Sequence, residues 1–166
     1  MTKAILCFDL GQHTGYAWCA ADAMYTGVID VSRCKGDNRL GEMFSKFTVE
    51  VTHIIKTVAP QAVHFEDATH AARRTSTAQS VCWFGFHACL RGVCHELRVP
   101  VYPVSTSTYK KRTGLPHRCG KNAVIQWCNE QLIPVRDENE ADAVAILNAV
   151  LDEYGSKLSD FKWRKS

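Results

Sequence analysis

The apolar run Ala4-Ile5-Leu6-Cys7-Phe8 ends on a carboxylate, Asp9, and Leu10-Gly11-Gln12-His13-Thr14-Gly15-Tyr16-Ala17-Trp18 follows at once. The pattern reads as a strand, a tight turn and a returning strand. It therefore sets an acid at the end of a buried strand, where an uncompensated charge is costly. Two compensations are open: a bound cation, or an Asx-type turn in which Asp9 caps the bend from Gly11 to Gly15.

At 166 residues, 46% apolar and 22% charged, the chain suits one globular domain, read as residues 1–158 followed by a basic tail over 159–166. No apolar run approaches the ~20 residues of a membrane span. MTKAILCFDL lacks the longer apolar core and cleavage site of a signal peptide, so a cytoplasmic protein without a membrane partner is expected. The eight cysteines include no CxxC pair and read as reduced thiols, mostly packed as small apolar side chains. Cys89, Cys94, His95, His117 and Cys119 come nearest to a zinc site but lack paired ligand spacing. They read as core and loop residues.

Strands are expected at Ala4 to Leu10, Tyr16 to Ala21 and Tyr25 to Val31, joined as antiparallel hairpins by short Gly and Asp turns. Leu40, Met43, Phe44, Phe47, Val51, Ile54, Ile55 and Val58 then recur at helical spacing, predicting a helix from Arg39 to Val58 that Pro60 ends. Ala62 to Phe65 reads as a buried strand closing on Glu66 and Asp67, and Ser76 to Leu97 as a second long helix. Val99 to Val104 carries Pro100 and Pro103, which suit a sheet edge. Helices are expected over Ser105 to Lys111 and Lys121 to Gln131, with a last one entered through the acidic turn Asp137-Glu138-Asn139-Glu140. Acids there favour the helix dipole without any further role. This order implies an α/β fold, a mixed sheet of five strands with helices on both faces.

A right-handed crossover lays the strand ending at Glu66 beside the one ending at Asp9, so both carboxylates reach one sheet edge. Asp142 lies three residues after Asn139 and four after Glu138, and the three can share a helix face. Oxygens converging in this way suit hard cations such as Mg2+, and a pair of ions about 4 Å apart can flank a scissile phosphate.

The motifs FDLGQHTGYAW, HFED at 64–67, PVSTSTYKKRTG at 103–114, GKNAVIQW at 120–127 and NEADAVAIL at 139–147 span nearly the whole chain. In order and spacing they resemble the RNase H-like nuclease superfamily, specifically its RuvC-type Holliday junction resolvases in their divergent phage or prophage-like form. The resemblance implies an RNase H-like fold, a crossover junction endodeoxyribonuclease dependent on Mg2+ or Mn2+, and a homodimer acting on branched DNA in recombination and repair. It implies that Asp9, Glu66 and Asp142 are catalytic metal-binding acids. Lys121 matches a basic residue near the scissile phosphate, and Lys110 falls on a second basic position. Asn139 stands where relatives usually carry Asp or His, which leaves Asn139, Glu138 and Glu140 as competing fourth ligands. On an ideal helix Glu140 is turned away from Asp142 by about 200°. After Glu66, this chain has Ala68-Thr69-His70 where some relatives insert an aromatic side chain.

A net charge of +3 does not by itself announce a nucleic-acid partner. Clustering does more: Arg73 and Arg74 follow Glu66, and Lys110, Lys111, Arg112, His117, Arg118 and Lys121 lie close together, a stripe suited to phosphate. Lys162, Arg164 and Lys165 can add to it. An actin-like or sugar-kinase phosphate loop also begins with such a strand, but its two large domains exceed this chain length. A ribonuclease acting on RNA:DNA hybrid or structured RNA would use the same acids, and a junction-binding protein without chemistry would retain the fold alone.

Overall fold

The computed structural model describes residues 4–67, 76–116 and 119–165. The apolar residues of β1 (Ile5–Asp9) allow burial on both faces, and β1 lies inside the sheet. β2 (His13–Ala20) and β3 (Ala23–Asp30) follow it as antiparallel hairpins. β2 starts at His13, earlier than the sequence pattern suggests, because Thr14 itself closes the turn: Gly11 N–H donates to its Oγ1 at 3.1 Å and its hydroxyl donates to the Gly11 carbonyl at 2.7 Å. Thr14, fully buried, does what an Asx turn at Asp9 would have done, so that turn does not account for the acid.

β4 (Ala62–Asp67) pairs in parallel with β1, and β5 (Val101–Ser105), with Pro103, pairs in parallel with β4 at the sheet edge. Among the described residues the sheet has six strands, in the order β5-β4-β1-β2-β3-β6, where the sequence suggested five. The additional strand is the basic C-terminal segment, expected as a tail: β6 (Lys162–Lys165) pairs in parallel with Ala23 to Thr26 of β3. Its alternation explains this. Trp163 is half-buried against the core and its indole N–H reaches Thr26 Oγ1 at 3.5 Å, while Lys162 and Arg164 face solvent.

Two layers cover the sheet. On one side α1 (Arg39–Val58) and α2 (Thr77–Glu96) bury Met43, Phe47, Val51, Phe86 and Leu90 against Leu6, Phe8, Val63 and Phe65. Ser76 caps α2 through a reciprocal pairing with Gln79. On the other side α5 (Glu138–Glu153) packs on Ile5, Cys7, Ala17 and Cys19, flanked by α3 (Thr106–Thr113) and α4 (Lys121–Glu130). Ala141, Ala145 and Ala149 recur at one-turn spacing, all buried, so α5 can lie close against the strands. All eight cysteines are free thiols, with Cys7, Cys19, Cys34, Cys94 and Cys128 buried as packing residues. No helix among the described residues is long and apolar enough to cross a membrane.

Candidate metal centre

Strand parity and register bring the first two acids together. Ile5 and Cys7 face α5, so Asp9 does too. In β4, His64 lies opposite Cys7 and Phe65 opposite Phe8, which sets Glu66 one step further, beside Asp9 at the ends of adjacent parallel strands. Asp67 has the opposite parity and faces α2, where its charge reaches His87.

The third acid comes from α5. Residue 15 of β2 is a glycine, and a Cβ there would overlap the Asn139 carbonyl, so the start of α5 sits directly on the strand beside Asp9. From there Asp142 and Glu138, one turn apart, both act on Asp9 electrostatically, as Glu66 does. Burial and then repulsion from Glu66 and Asp142 push the Asp9 carboxyl well above the usual carboxylate range; a hydrogen bond with Glu66 and the Glu138 charge act in the same direction. Asn139 is tied to the site through its backbone. Its side chain is half-buried.

Glu140, the third candidate fourth ligand, is committed elsewhere. It is 1% exposed and its carboxylate accepts from the Arg136 backbone N–H, from Arg136 Nε at 3.2 Å and from Arg136 Nη2 at 3.0 Å. Asp137 caps the same turn by accepting from the Glu140 N–H at 2.9 Å. Arg136 four residues ahead of Glu140 was the available sequence signal for this pairing.

Sequence reasoning missed two residues that shape the site. Thr106 and Tyr109, on one face at the start of α3, both donate to Glu66 Oε1, at 2.7 and 3.1 Å. Tyr109 is 2% exposed, and burial with the charges of Glu66, Asp142 and Asp9 drives its hydroxyl pKa far upward, so it stays a proton donor. The spacing of three residues directly after a strand was the legible clue.

Among the described residues no group of three or more His, Cys, Asp or Glu side chains is placed so that it could hold a metal ion. The donor set around Asp9 is nevertheless all hard oxygen, without thiol or imidazole, and its mutual repulsion is what a divalent cation relieves. In donor chemistry, though not in the spacing seen here, it is the kind of set that hard divalent cations prefer.

The basic stripe is partly placed. Lys110 and Lys111 lie in the last turn of α3, Lys110 half-buried and Lys111 exposed. Arg112 pairs with Asp152 of α5, and its carbonyl accepts from Asn148 Nδ2 at 3.4 Å, so it ties two helices together. Lys121 opens α4 behind Gly120. Its side chain, with Arg73, Arg74, His117, Arg118 and the Ala68-Thr69-His70 segment, lies outside the described residues.

No family model and no curated protein sequence matches the chain. Solved structures do. Thermus thermophilus RuvC superposes with a TM-score of 0.69 at 18% identity, covering 92% of this chain and 97% of that one. T. thermophilus RuvC in complex with Holliday junction substrate gives 0.71 at 16% identity, covering 93% and 95%. The yeast mitochondrial Holliday junction resolvase Ydc2 gives 0.58 at 14% identity, covering 87% and 77%. With the strand order, the acid cluster at the ends of β1 and β4 and the helix that carries Asp142, these superpositions give the chain the RNase H-like fold in the form found in RuvC-type Holliday junction resolvases.

Proposed function

We propose that the chain is a metal-dependent, structure-selective endonuclease that hydrolyses phosphodiester bonds of four-way (Holliday) and other branched DNA junctions, in recombination, repair or phage DNA processing. The observation that carries this reading is the convergence of Asp9, Glu66, Asp142 and Glu138 at one strand end of a RuvC-type fold. In it Asp9, Glu66 and Asp142 hold one or two Mg2+ or Mn2+ ions, with Glu138 or the Asn139 side-chain oxygen as the fourth ligand. Bound there, such ions activate water and stabilise the departing 3′ oxygen. The chain supplies the rest. Asp9 and Glu66 are fixed by the sheet, Asp142 by the close seat of α5 on Gly15, and Lys110, Lys111 and Lys121 orient the phosphate. Arg73, Arg74, Arg112, His117 and Arg118 extend the phosphate-binding face.

Symmetric incision of a junction calls for two sites related by a two-fold axis, hence a homodimer. Val81 and Phe84 of α2, 48% and 53% exposed, offer it an outward apolar patch, whereas Phe86 and Leu90 are consumed by the core. The action is in the cytoplasm, a bacterial host's if the chain is phage-encoded. End-labelled four-way junction, linear duplex and RNA:DNA hybrid, each with Mg2+ and then with EDTA, test the proposal. Preferential, EDTA-sensitive cutting of the junction is expected. Preferential cutting of the hybrid would replace this reading with a ribonuclease.

A further inference from the structure

We infer that Thr106 and Tyr109 are positioning residues that make Glu66 a one-oxygen ligand, by saturating Oε1 and leaving only Oε2 for a cation. The inference deepens the metal-centre reading above and rests on it. A carboxylate oxygen has two lone-pair directions. Both are engaged at Oε1, by Thr106 Oγ1 at 2.7 Å and Tyr109 OH at 3.1 Å. The donors come from one rigid element. Thr106 is the first residue of α3 and Tyr109 lies on the same face, with the helix start pinned by Ser105, whose hydroxyl accepts from the Thr108 N–H at 3.1 Å. The Tyr109 ring is packed in the α5 core and cannot swing away from Glu66.

A carboxylate at a strand end can rotate about its terminal torsion, which is broad. Two hydroxyls on one oxygen remove that freedom and fix the plane of the carboxylate, leaving Oε2 as the oxygen not taken by α3. The same helix carries Lys110 and Lys111 in its last turn. The clamp thus joins the ligand rigidly to the basic residues proposed to meet the phosphate.

The test is Mn2+ binding to the full chain, read from the free-ion electron paramagnetic resonance signal without DNA, for wild type, Thr106→Val, Thr106→Ser, Tyr109→Phe and the Thr106→Val/Tyr109→Phe pair. Loss of such an outer partner typically weakens metal binding roughly 10–100-fold. Thr106→Val and Tyr109→Phe should each weaken Mn2+ binding by at least about tenfold, and the pair further, while Thr106→Ser, which keeps the donor, retains wild-type affinity. Far-ultraviolet circular dichroism and junction binding in EDTA should be unchanged throughout. If Thr106→Val and Tyr109→Phe bind Mn2+ as tightly as wild type, the clamp is overturned and the metal centre stands. If wild type itself does not bind Mn2+, the metal-centre reading falls and the clamp with it.

Discussion

Gly15 and Asn139 are in backbone contact: a Cβ on Gly15 would occupy the same space as the Asn139 carbonyl. The closeness lets α5 deliver Asp142 to the end of β1. Gly15→Ala should therefore displace α5, destabilise the fold by about 1–3 kcal/mol as overpacked sites do, and weaken Mn2+ binding along with it. Thermal unfolding and metal titration on the same sample check both effects.

Asp9→Asn removes charge from the centre of the acid cluster at almost constant volume. Losing an outer-shell partner already costs roughly 10–100-fold in metal affinity, so losing Asp9 should lower cleavage by at least about a hundredfold. Junction affinity in a gel-shift assay should persist. Normal cleavage by this variant would remove Asp9 from the catalytic set.

Glu138→Gln and Glu140→Gln should separate cleanly. Glu138 shares the electrostatic neighbourhood of Asp9, so its substitution should weaken cleavage or shift the metal requirement. Glu140 is locked to Arg136 in a buried turn, so Glu140→Gln should cost about 1–2 kcal/mol of stability and leave cleavage by the folded protein nearly intact. A folded but inactive Glu140→Gln protein would overturn this assignment.

His64 and His87 are pushed from the ordinary 6.5 down to about 4, chiefly by burial, with Arg91 acting in the same direction on His87 and Asp67 against it. The unfolded chain then binds protons that the folded chain refuses. Their contribution to stability is complete above pH 6.5 and is lost as the pH falls towards 4. Among the described residues His87 Nε2 has no hydrogen-bond partner. A melting-temperature series across this window should slope less steeply for His87→Phe than for wild type.

Phe84, half out of the surface of α2, contacts only Trp83 among the aromatic rings described, edge to face at 5.0 Å between centroids. Phe84→Asp should leave the fold nearly unaffected and shift the sedimenting species, measured with junction DNA present, from dimer to monomer. A wild-type monomer under those conditions would count against the dimer.

The parts legible in the sequence were those governed by strict periodicity. The apolar spacing from Arg39 to Val58 marked α1, and Pro103 marked β5 as an edge. The acids at 9, 66 and 142 could be brought together because strand ends and helix faces are predictable from parity and turn angle. What escaped was set by single contacts between distant segments. KWRK is short and charged, so its charge hid an alternation that only the Trp163 and Thr26 contact turns into β6. Thr106 and Tyr109 look like ordinary helix residues until the crossover brings them to Glu66. Glu140 could be read as turned away from Asp142, but its pairing with Arg136 escaped, because Arg136 precedes the helix and meets it only once the turn forms.

Both margins of the sheet are also unfavourable to the addition of a further strand. At one margin β5 carries Pro103, which has no N–H to offer a neighbour; at the other, β6 presents Lys162 and Arg164 in a short run. Two copies of this chain cannot readily merge their sheets, and partly opened molecules meet a poor template for edge-to-edge growth. Any self-association is left to the helical surfaces, where its geometry would be set by side chains and could be altered by one substitution without unpairing the strands that hold Asp9 and Glu66.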